Sequence, residues 1–100
     1  IALHNNQVIL FADTQGTNNR YTPGNSGDAI LFNTTLPSGV TSVNTNWQSY
    51  LFRFVPPIVE LYGPPNYGQP VGASGAPLAV QIRQQQKQWK VLPYGQLQPQ

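Results

Sequence analysis

Residues 47–55 read Trp-Gln-Ser-Tyr-Leu-Phe-Arg-Phe-Val, and the period assigned to this stretch decides the fold class. Tyr50, Phe52 and Phe54 alternate with Leu51, Arg53 and Val55, which is the two-residue period of a strand. Trp47, Tyr50, Leu51 and Phe54 also fit the i, i+3, i+4, i+7 spacing of a helix, and Asn46 is a reasonable helix cap. The strand reading is preferred, because four aromatic rings in nine residues suit a pleated surface. Pro56 and Pro57 stop either element.

The rest of the chain fits the strand reading. Gln7–Ala12, residues 29–34 and Ile58–Tyr62 are short apolar runs. Between them lie turn-forming clusters at 13–19 and 22–28, and a Leu-Pro-Ser-Gly turn at 36–39. Leu78, Val80 and Ile82 alternate with Ala79, Gln81 and Arg83, and Trp89 and Val91 alternate with Lys90 and Leu92. Residues 84–88 would connect these two runs. The rival reading is a single helix over 78–92, with Pro77 in its first turn. Residues 63–77 hold four Gly and four Pro and read as the longest loop. Residues 96–100 are expected to fray. Strands with turn signals every 8–12 residues predict an all-β domain of six to eight short strands, a small antiparallel β-sandwich or compact barrel.

Composition sharpens this. One hundred residues make one domain, read as a fragment of a longer chain because Ile1 is not a natural start. Asn, Gln, Thr and Ser supply 33 residues, whereas Asp, Glu, Lys and Arg supply only 8. With 39% apolar residues and 11% aromatic, the chain has the means to build a core and does not resemble a disordered segment. No apolar run approaches the ~20 residues of a membrane-spanning helix, so no membrane insertion is expected. A surface of amides and hydroxyls suits an extracellular or virion protein.

Chemistry is sparse. The chain has no Cys, one His (His4) and three acids (Asp13, Asp28 and Glu60). Two of the acids lie in turn clusters, where Asp is expected for backbone reasons, and Glu60 reads as a solvated strand residue. No Gly-x-Ser-x-Gly turn supports a triad, no phosphate-loop pattern occurs, and one carboxylate in residues 13–19 is too little for calcium. The expectation is a protein without enzymatic activity, metal or cofactor.

Binding residues are the better lead. Tyr21 and Tyr67 sit in loops rich in Gly, Pro and Asn, where exposed rings stack on sugars or anchor protein partners; the alternative is that each plugs its own loop. Arg83, Lys87 and Lys90 give residues 61–100 a charge of +3, with Trp89 between the two lysines. They read first as a solvated hairpin face and second as an anionic-ligand patch; they are too few for a nucleic-acid stripe. Trp47, Phe52, Phe54 and Trp89 are expected in the core or at a subunit interface. Asn33-Thr34-Thr35 is a glycosylation sequon.

The whole-chain profile is small, cysteine-free, weakly charged and rich in Asn, Gln, Thr and Gly. It resembles the C-terminal heads of trimeric viral attachment fibres, such as adenovirus or phage fibre heads. The Thr-Leu-Trp-Thr opening of mammalian adenovirus heads is replaced here by Ile1-Ala2-Leu3-His4, and no site residues carry over. The resemblance implies a homotrimer on the virion surface that engages a host-cell receptor, protein or glycan. Two competing readings are a secreted carbohydrate-binding or lectin-like module and a protruding or jelly-roll capsid domain.

Overall fold

A computed structural model describes residues 1–14, 18–24, 27–43 and 46–100. Parts of the expected loops 13–19 and 22–28 therefore lie outside the described residues. Among the described residues ten strands follow in chain order: β1 (Ala2–His4), β2 (Gln7–Ala12), β3 (Ala29–Thr35), β4 (Val40–Ser42), β5 (Gln48–Ser49), β6 (Leu51–Val55), β7 (Ile58–Tyr62), β8 (Ala76–Ile82), β9 (Gln85–Val91) and β10 (Leu97–Pro99). The all-β reading holds. All pairings are antiparallel, in sheets ordered β3-β2-β1-β5, β10-β9-β8-β4 and β6-β7.

The strand count exceeds the expected six to eight because β1, β4, β5 and β10 hold only two or three residues each, too few to show a period. Two boundaries also differ from expectation. Residues 97–99 do not fray, since Leu97 pairs with Val91 and Pro99 with Trp89. Residues 84–88 are not a connection: Ile82 pairs directly with Gln85, so the turn is Arg83 and Gln84 alone. Arg83 adopts φ +56° there. Local sequence carried no Gly or Asn to mark that turn; the long β8–β9 ladder imposes it.

The core has two parts, one on each side of a central layer. Ala2 and Leu3 are neighbours in β1 and point to opposite faces, as do Leu61 and Tyr62 in β7. Ala2, Ile9, Phe11, Tyr21, Leu51 and Tyr62 form one cluster, with Trp47 packed on it. Leu3, Tyr50, Leu61, Ala76, Val80 and Val91 form the other, backed by Leu78 and Trp89. A strand buried on both faces must be apolar at successive positions, which explains why these short strands do not alternate.

Gln48 ties the sheets together. Its side chain is 2% exposed and every amide function is used. Nε2 donates to Ser42 Oγ (2.7 Å) and to the Ala79 carbonyl (3.0 Å), while Oε1 accepts from the Ala79 N–H (3.3 Å). A buried amide satisfied on all sides fixes the register between sheets.

Candidate functional site

The loop tyrosines are both turned to structural use, for different reasons. Tyr21 is only 6% exposed, which corrects the expectation of an exposed anchor. Its ring meets Phe11 at 5.1 Å and Trp47 edge-on at 4.8 Å, and Trp47 stacks on His4 at 4.9 Å. The Tyr21 N–H donates to Ser49 Oγ at 2.9 Å. Burial, and then the Asp28 charge, raises the pKa of its hydroxyl. The aromatic run Phe11–Tyr21–Trp47 buries more apolar area than an exposed Tyr21 would, so the loop folds down on it.

Tyr67 is half-buried. Its Oη accepts the Ser49 N–H at 3.3 Å, its carbonyl accepts Asn19 Nδ2 at 3.2 Å, and the Arg20 guanidinium lies 4.0 Å from the ring centre. A cation already covers that ring face, so it is not presented to a sugar. Arg20 and Tyr67 pin two loops together and belong to the framework.

The basic residues do not make one patch. Lys87 and Lys90 are three apart on β9, so they project from opposite faces of the sheet. Arg83 sits in the turn. Lys87 lies opposite Val80 and Lys90 opposite Pro77. The expected single hairpin face, with 84–88 as its connection, is divided by the continuous strand β9.

The acids are accounted for locally. Asp28 Oδ2 accepts the Thr22 N–H at 2.8 Å, and the Asp28 N–H returns to the Thr22 carbonyl at 2.8 Å, closing a turn. Asp13 pairs with Arg53 at 3.1 Å. Glu60 accepts the Tyr62 hydroxyl at 3.0 Å. Tyr50 donates its hydroxyl to the Pro77 carbonyl, and burial pushes its pKa far above the ordinary phenol range. Among the described residues, no cluster of three or more His, Asp or Glu forms.

The unexplained surface is apolar. Trp47 and Trp89 pack on the core, as expected, but Phe52 is 45% exposed and Phe54 68%. The β6–β7 hairpin has two unlike faces. Leu51, Arg53, Glu60 and Tyr62 share one, with Arg53 also lying over the Tyr62 ring at 5.1 Å. Phe52, Phe54, Val59 and Leu61 share the other, and only Leu61 reaches the core. Phe52, Ile58 and Val59 line an open cavity of about 670 Å³ whose far wall is Pro93, Tyr94 and Gly95. Val59 shares that face with Leu61 yet is 48% exposed.

A second apolar surface lies at β3. Every residue of this strand is exposed, Ile30 by 51%, Leu31 by 65% and Phe32 by 51%. A bulge at Leu31 sets Phe32 opposite Leu10 and Ile30 opposite Phe11, so large apolar groups emerge on both faces. The sequence carried no warning that the large side chains of β3 and Tyr94 would stay exposed. Tyr94 beside Gly95 at a turn met the same criterion that singled out Tyr21 and Tyr67. Nothing local marks β3, because an apolar strand reads identically whether it is buried by its own chain or by another.

Compared with protein-family models, with characterised proteins and with solved structures, the chain gives no match.

Proposed function

We propose that the chain is the receptor-binding head of a homotrimeric attachment fibre or spike, exposed on a virion surface and acting by adhesion. The observation that carries the reading is the pair of apolar ribbons, β3 and the β6–β7 hairpin, whose large apolar side chains stay exposed among the described residues. A weakly charged 100-residue chain that exposes Phe, Leu and Ile on β3, β6 and β7 suits contact with other copies of itself. The monomeric sugar-binding reading loses support, since the rings that would have formed its platform are Tyr21, now buried, and Tyr67, covered by Arg20.

Three copies present three equivalent surfaces, so a weak single contact gains avidity. The test compares wild type with Leu31→Asp, which disrupts β3, on a glycan array and a panel of cultured cells. Wild type is expected to bind at least one surface, and the variant at least ~10-fold more weakly. Blank surfaces for wild type would count against attachment, and equal binding by both would count against its dependence on three copies.

A further inference from the structure

We propose that the cavity between residues 18–22 and Trp47 binds a sugar acid, with its carboxylate on the Arg20 guanidinium. As the chemical class of the receptor, this rests on the attachment reading. As a site, it belongs to the single chain and needs no second copy.

Asn18, Arg20, Thr22, Asn46 and Trp47 line an open cavity of about 420 Å³, within the roughly 300–1,000 Å³ of small-molecule sites. Its unused polar groups are mainly donors. Arg20 forms no ion pair among the described residues, and no described oxygen accepts from its guanidinium. The Trp47 indole N–H and the side-chain N–H groups of Asn18 and Asn46 likewise have no described acceptor. All four side chains reach solvent. No Asp or Glu lines the cavity. Asp28 accepts the Thr22 N–H, but it is only 6% exposed.

Donors around one uncancelled cation select an oxygen-rich monoanion. A guanidinium matches a carboxylate in charge and shape, whereas a phosphate dianion would leave a charge unmatched. The amides and the Thr22 hydroxyl suit the hydroxyls of a sugar. Such a ligand is held by hydrogen bonds and charge, and needs no exposed ring as a platform.

The donors are held in place before any ligand arrives. Tyr67, whose ring centre lies 4.0 Å from the Arg20 guanidinium, is anchored twice: its Oη accepts the Ser49 N–H and its carbonyl accepts Asn19 Nδ2. Asn18 Oδ1 accepts the Arg20 backbone N–H at 3.3 Å. Trp47 is fixed by His4 at 4.9 Å and Tyr21 at 4.8 Å. Groups ordered in advance lose little freedom on binding.

The test is an NMR titration with N-acetylneuraminate, glucuronate and glucose, following the indole N–H of Trp47. Trp89, the other tryptophan of the chain, is the internal control. At least one sugar acid is expected to shift Trp47 saturably and leave Trp89 unmoved, while glucose shifts neither. Arg20→Gln removes the partner of the carboxylate and should weaken binding at least ~10-fold. Arg20 also contacts Tyr67, so Asn46→Asp provides a second variant that spares this contact and sets a like charge in the cavity, with a similar loss expected. Circular dichroism checks that both variants fold. No saturable shift by either acid, glucose bound as well as the acids, or wild-type affinity in Asn46→Asp overturns the proposal. Which acid binds distinguishes a terminal N-acetylneuraminate from a uronate polymer as its source. Cell attachment that survives in Asn46→Asp removes this site as the receptor contact and leaves the attachment reading standing. Sugar-acid binding by a chain that attaches to no cell keeps the site and removes attachment.

Discussion

Replacing Leu61 by alanine should lower folding stability by about 3–4 kcal/mol. Leu61 is 0% exposed and is among the largest fully buried side chains of the protein. It sits where β7 enters the second core cluster, between Tyr50, Val80 and Val91. Its neighbours come from several strands and cannot all collapse into the space, so the cavity term adds to the lost transfer energy. Urea denaturation at fixed protein concentration measures the effect, with the midpoint falling and the slope unchanged. A loss below ~1 kcal/mol would mean that Leu61 is not packed within the second cluster as described.

The other large effect is expected at Gly75. Its φ is +86°, and a Cβ there would lie 2.8 Å from the Val91 carbonyl oxygen and 3.0 Å from Leu92 Cδ2. Left-handed backbone alone costs an alanine roughly 1–2 kcal/mol. The contact with a backbone oxygen cannot be relieved by a side-chain rotation, because Val91 is held in the β9 ladder. Gly95 provides the control. It has φ +93° with nothing within 4 Å of the added methyl. Gly95→Ala should therefore cost about 1–2 kcal/mol and Gly75→Ala about 3 kcal/mol or more, read from the same denaturation curves. Equal losses at the two positions would remove the steric part of the argument.

The residues of β2 and β7 were legible in the sequence because each is a run of apolar residues bounded by turn formers. The choice of strand over helix at 47–55 was legible from the density of rings, although Tyr50 interrupts the stretch between β5 and β6. The β1–β2 hairpin was missed. Its two-residue turn is Asn5–Asn6, with Asn5 at φ +52°, and Asn tolerates that backbone better than most residues. A three-residue strand before it left no pattern to anchor the turn. The fate of the aromatics was less legible. Tyr21 and Tyr94 both occur beside turn residues, yet one is buried and the other is 70% exposed. What separates them is a distant partner: Phe11 and Trp47 receive Tyr21, and among the described residues no element stands over Tyr94. Long-range packing of this kind has no local signature. For the same reason, Lys87 and Lys90 read as one charged face until the strand register placed them on opposite sides.

The central claim is that the apolar ribbons are covered by other copies of the chain. Sedimentation equilibrium of the chain at micromolar concentration measures this most directly. The account predicts a single species of about 33 kDa, three times the 11.0 kDa of one chain. A species that stays at 11.0 kDa across the concentration range would contradict it.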